Sequence, residues 1–122
     1  MTSTGEARPP SDPGLAREGR ILLVEDKEGL RNVLRKTLED EGFQVESCAD
    51  GAEALQQISR QRFLLVLTDL KLPHADGLRI LKAARQSDSA LPVIVMTAFG
   101  TVQDAVSAMK EGAYDFLETT PE

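Results

Sequence analysis

At 122 residues the chain is long enough for one domain with a sizeable core, and its 41% hydrophobic and 28% charged residues are ordinary for a globular protein. Its 14 basic against 20 acidic residues leave a net charge of −6, which argues against this chain binding a nucleic-acid phosphate backbone. No apolar run approaches the ~20 residues of a membrane span, no apolar signal core opens the chain, and a lone cysteine, Cys48, rules out an internal disulfide and suits a reducing cytoplasm.

Residues 1–19 are rich in Pro, Gly, Ser and Thr and lack apolar periodicity, so they read as a flexible leader ahead of a domain over 20–122. Ile21–Val24 is a short apolar run, as expected of a strand covered on both faces. After Glu25 and Asp26, Leu30, Val33, Leu34 and Leu38 recur at helical spacing, and Gly42 stops that helix. Phe43–Ala49 reads as a second strand with Cys48 as a small buried hydrophobe. Asp50 and Glu53 then resemble a capping box opening a helix through Leu55 and Ile58. Phe63–Leu67 is the third expected strand, and Asp76 caps a helix carrying Leu78, Leu81 and Ala84. Pro92–Met96 is the fourth strand, with proline acceptable at its first position. Val102, Ala105, Val106 and Met109 stripe a fourth helix, and Tyr114–Glu118 is the fifth strand. Core packing is expected of Met109 and Tyr114.

Strands alternating with helices predict a doubly wound parallel α/β sheet, whose ligands bind beyond the carboxyl ends of the strands. The first strand ends in Glu25 and Asp26, the third in Asp69 and the fourth in Thr97. If the first and third strands are neighbours, three carboxylates converge. A like-charged pair about 4 Å apart costs about 4 kcal/mol at an effective dielectric near 20, so either protons or a cation must sit among them. Mg²⁺ suits an all-oxygen donor set, and no His or Cys cluster offers a softer metal a better home. A carboxylate beside such an ion can attack phosphorus. Thr97 could donate a hydrogen bond to a phosphoryl oxygen. His74 reads as an exposed loop residue, and Lys27 and Lys71 as solvated lysines near the acids.

The stretches "ILLVEDKEGLR", "VLTDLKLPHADGLRIL" and "PVIVMTAFGTVQDAVSAMKEGAYDFLE", spanning residues 20–118, resemble the receiver domain of two-component response regulators. The last has the pattern of receivers of enhancer-binding transcription activators. The resemblance implies a flavodoxin-like fold with strand order 2-1-3-4-5. It also implies a phosphorylation-switched module in which Asp69 accepts a phosphoryl group from a sensor histidine kinase. Asp26 and Asp69 would hold Mg²⁺ directly, Glu25 through water, and Lys71 through its backbone carbonyl. Thr97 would be the switch hydroxyl and Phe116 the switch aromatic. An attached output domain and transcriptional control follow from the same resemblance, without enzymatic turnover. The single cysteine, the lack of a span and the net charge point to a cytoplasmic domain with no membrane attachment or direct nucleic-acid binding. A homodimer is expected from apolar surface that a missing final helix would leave exposed.

The chain departs from that pattern in two places. Receivers of this kind usually continue with Lys-Pro after "YDFL" and one residue, whereas here Thr119 stands for Lys and Thr120 for Pro. Sliding by one residue aligns Pro121 and still leaves Thr120 at the Lys position. Only four residues follow Glu118, so the usual final helix is expected to be missing and the chain reads as a truncated piece of a longer regulator. The alternative function is a pseudo-receiver, a binding scaffold not regulated by phosphorylation. A catalytic aspartyl phosphatase is disfavoured because "DLK" lacks the second Asp such enzymes use. A flavin-binding protein is disfavoured because Glu25–Asp26 stand where phosphate-binding hydroxyls and amides are needed.

Overall fold

The structure, a computed structural model, describes residues 19–98 and 100–119. Its elements in chain order are β1 (Arg20–Val24), α1 (Glu28–Asp40), β2 (Gln44–Cys48), α2 (Gly51–Arg60) and β3 (Leu65–Asp69). There follow α3 (Gly77–Ser87), β4 (Val93–Thr97), α4 (Val102–Lys110) and β5 (Asp115–Glu118). All but the last residue of the expected leader, and Thr120 and Pro121 at the other end, lie outside the described residues. Among the described residues no helix follows β5, and none is long and apolar enough to cross a membrane.

The five strands form one parallel sheet in the order β2-β1-β3-β4-β5, as the alternating pattern predicts. The centre is the most apolar part: Leu22, Val24, Val66, Val93 and Val95 are fully buried and join Ile80, Leu81 and Ala84 of α3 and Ala54 and Ile58 of α2 in one core. A strand buried on both faces gains from apolar side chains at every position, which is why β1 and β4 read as continuous apolar runs. Helix starts follow local chemistry. The Asp50 carboxylate accepts from the Ala52 and Glu53 N–H groups, and that of Asp76 from Arg79 N–H. The reciprocal capping box is made at α4, between Thr101 and Asp104. Gly42, at φ 101°, turns the chain out of α1 in a conformation an L side chain rarely adopts.

Two expectations need correction. The third strand begins and ends two residues later than its apolar run. Phe63 is buried by packing from the preceding loop, while Thr68 and Asp69 continue the ladder, because strand pairing is made by the backbone and does not require apolar side chains. The second correction concerns Met109 and Tyr114, which are 50% and 73% exposed rather than core. Helix α4 buries only Ala108 and turns Val102 and Val106 outward with Met109. Periodicity locates an apolar stripe, but the strand beside it is a four-residue edge, too small to cover that stripe. Helix α1 likewise has no fully buried residue and leaves Val33 exposed, though its strands β1 and β2 are five residues long.

Candidate functional site

The pairing of β1 with β3 runs Val24 opposite Thr68, which sets Glu25, just past β1, beside Asp69, the last residue of β3. Glu25, Asp26 and Asp69 each bring a carboxylate oxygen within 4.8 Å of the other two. Glu25 and Asp69 are buried and Asp26 is exposed, so the cluster opens to solvent on one side. The convergence expected from sequence is therefore present in the fold.

Backbone amides already serve two of these carboxylates. Lys27 N–H donates to Glu25 Oε2 at 2.9 Å, and Leu70 N–H donates to Asp69 Oδ1 at 2.8 Å. Burial nevertheless pushes the Glu25 carboxyl from 4.5 up to about 7, with the negative charge of Asp69 adding to the rise. Burial raises Asp69 as well, against its Leu70 bond and the positive charge of Lys27. Both carboxyls are thus poorly solvated, which disfavours their charged forms. Three hard oxygen donors within 4.8 Å, two of them resisting ionisation, fit a small divalent cation, which would relieve both the desolvation and the repulsion.

The loop after β3 is clamped close to the strand end. Gly77 N–H donates to Leu70 C=O at 2.7 Å, and a Cβ built on Gly77 would stand 2.4 Å from the Asp69 carbonyl oxygen. Only glycine permits that approach. Gly51 N–H donates to Pro73 C=O, which ties the loop to the start of α2. Lys71 is exposed within this loop, two residues past Asp69. His74 is exposed too, at φ 70°, and its Nδ1 lies 2.5 Å from Asp50 Oδ2. That contact holds the Asp50 carboxyl below its ordinary range. The loop reading of His74 stands, with a partner that sequence did not disclose.

Thr97 is buried at the end of β4, one rung beyond Met96, the partner of Asp69. Phe116 on β5 is half-buried against the core. A Cβ on Gly100 would lie 2.5 Å from Thr97 Cγ2 and 3.1 Å from Phe116 Cζ, so methyl and ring converge on the turn that follows β4. Thr119 N–H donates to Thr97 C=O at 2.8 Å, continuing the rung of Thr97 with Glu118. Thr119 thus stands next along from the Thr97 rung. Of the two lysines noted from sequence, Lys27 contributes positive charge to both Glu25 and Asp69. Cys48 is buried, and burial pushes its thiol up to about 12, which suits a packing role.

Sequence reasoning left Arg31 without a role. Its guanidinium Nη1 donates to the Glu25 carbonyl at 2.9 Å and, weakly, to the Asp26 carbonyl at 3.5 Å. The available signal was its position, one turn into α1 and able to reach back along the helix to the strand end.

Comparison with known proteins gives a consistent result. A profile of the family described as response regulator receiver domain matches residues 21–119. Over 98 residues the chain is 43% identical to the transcriptional activator protein PfeR of Pseudomonas aeruginosa, covering 80% of this chain and 32% of that protein. The chain spans less than half the length of the curated relatives it matches. Among solved structures, the beryllofluoride-activated NtrC4 receiver domain dimer is 33% identical with a TM-score of 0.78, covering 85% of this chain and 86% of that one. A response regulator from Burkholderia pseudomallei, crystallised with a phosphorylated aspartic acid, calcium ion and citrate, is 25% identical with a TM-score of 0.79, covering 86% of this chain and 62% of that one.

Proposed function

This chain belongs to the response regulator receiver domain family, and from that premise we propose that Asp69 accepts a phosphoryl group from a sensor histidine kinase and thereby switches an attached output domain, in transcriptional control. The observation that carries the reading is a buried carboxylate at the last rung of β3, with two further acids within 4.8 Å. An Asp69 carboxylate oxygen attacks phosphorus, the new O–P bond forms, and the P–N bond to the donor histidine breaks. The Leu70 N–H bond and the clamp at Gly77 fix the position of that carboxylate.

Asp26 and Asp69 would hold Mg²⁺ directly, Glu25 through water, and Lys71 through its carbonyl. When bound, the ion supplies charge neutralisation to the acids and to the entering phosphoryl oxygens. Thr97 offers its hydroxyl to a phosphoryl oxygen, and Phe116 follows the rearrangement at the Gly100 turn. The module is a switch rather than an enzyme with turnover. It lies in the cytoplasm, over residues 20–122 behind a leader of residues 1–19, and pairs with a second copy on activation. Thr119 brings no positive charge to the site, so phosphorylation is slower than in a receiver with Lys there. The pseudo-receiver alternative has less support, because the acid cluster is complete.

Titrating Mg²⁺ while following backbone amide shifts tests the metal part. Saturable shifts at residues 25–27 and 69–71 are expected, and they should disappear in an Asp26→Asn, Asp69→Asn variant. Equal shifts in that variant would remove the site.

A further inference from the structure

Residues 25–27 connect the end of β1 to the start of α1, and they carry two of the three clustered acids. The loop leaves the sheet after Glu25 N–H pairs with Cys48 C=O at 3.0 Å, and it enters the helix as Arg31 N–H bonds Lys27 C=O at 2.9 Å. Between those two points the carbonyls of Glu25 and Asp26 have left the ladder. The Arg31 Nη1 donor described above serves both of them. The same residue thus anchors this loop twice, through its backbone and through its guanidinium. The Lys27 N–H bond to Glu25 Oε2 depends on the loop holding that path.

We propose that Arg31 is a positioning residue for the acid cluster: its guanidinium fixes the Glu25 and Asp26 carbonyls so that both carboxylates stay aimed at a shared cation. This deepens the Mg²⁺ reading and rests on it. The guanidinium donates to backbone carbonyls and not to a carboxylate of the cluster, so it acts through the backbone of Glu25 and Asp26. Outer partners of metal ligands characteristically change metal affinity by 10–100-fold when removed. Two effects of Arg31 oppose each other. Its charge repels a cation, while its hydrogen bonds hold the ligands in place. The hydrogen bonds win, because the guanidinium is spent on carbonyls behind the acids, at a partly solvated edge where charge repulsion is screened.

The test compares Mg²⁺ affinity, read from amide shifts, in wild-type, Arg31→Met and Arg31→Lys chains. Arg31→Met keeps the bulk and loses both donors and charge, and it should weaken Mg²⁺ about tenfold. Arg31→Lys restores a charged donor at the same place and should recover affinity to within about threefold of wild type. A variant destabilised away from the site, Ile58→Val, should bind Mg²⁺ as wild type does, which separates positioning from general loss of stability. If Arg31→Met fails to fold, Arg31→Gln takes its place, with the weakening again expected. Unchanged or tighter Mg²⁺ binding in Arg31→Met or Arg31→Gln would overturn the proposal. Absence of Mg²⁺ binding in the wild type would instead overturn the metal reading on which it rests.

Discussion

Four polar side chains, Glu25, Thr68, Asp69 and Thr97, are buried at the carboxyl ends of β1, β3 and β4, whereas Val102, Val106, Met109, Tyr114 and Leu117 stand exposed across α4 and β5. Each region inverts the usual sorting, and they do so for different physical reasons. At the strand ends, ionisable groups are held in a poorly solvated place where their charged forms are disfavoured. Under the proposed function, the cost is met when a cation binds among the acids. On the flank, the apolar side chains lose only the gain they would make by burial, and exposed patches of this kind serve association. The centre of the sheet therefore stores electrostatic cost at the site, and the flank offers unused apolar surface.

The largest effect expected from this contrast is in packing. Truncating Leu22, fully buried in β1, to Ala should cost about 2–5 kcal/mol, while Met109→Ala on the flank should stay within about 0.5 kcal/mol. Urea unfolding of both variants checks it. Similar losses would mean that the flank is packed after all.

Next comes pH. Glu25 is raised from 4.5 to about 7 and Asp69 is raised too, so the folded chain holds protons that the unfolded chain releases. For Glu25 that stability is present in full below about 4.5 and lost as pH rises through about 7, on the order of 3 kcal/mol, and the raised Asp69 carboxyl adds a change of the same sign. Without divalent cations, stability should thus fall between pH 5 and pH 8. Glu25→Gln should flatten most of that slope, and saturating Mg²⁺ should do the same in the wild type. A slope that is identical in all three cases would show that the acids are not the source.

The smallest stability effect is expected at the flank itself. A Val102→Asp, Met109→Lys double variant should change stability by about 0.5 kcal/mol or less. It should also reduce any self-association seen by sedimentation at high concentration. Unchanged association would move the interface elsewhere.

Much of the fold could be read from the sequence, because buried parallel strands are continuous apolar runs separated by capped helices. Asp50 and Asp76 announced helix starts correctly. The acid cluster was legible as well, since residues at the ends of neighbouring parallel strands must converge once the strand order is known. Three features were not. The extent of β3 was hidden because Thr68 and Asp69 pair through the backbone, which leaves no apolar mark. The exposure of Met109 and Tyr114 depends on what lies beside α4, which periodicity does not encode. The roles of Arg31 and His74 depend on long side chains meeting groups in other segments, Arg31 on the strand-end carbonyls and His74 on Asp50.

The central claim is that the buried acid at the last rung of β3 is the group that reacts. Intact-mass analysis of the chain after exposure to acetyl phosphate and Mg²⁺, alongside Asp69→Asn, tests it most directly. The account predicts the addition of one phosphoryl group in the wild type, none in Asp69→Asn, and faster addition in Thr119→Lys. Equal modification of Asp69→Asn would contradict it, as would no modification of either the wild type or Thr119→Lys.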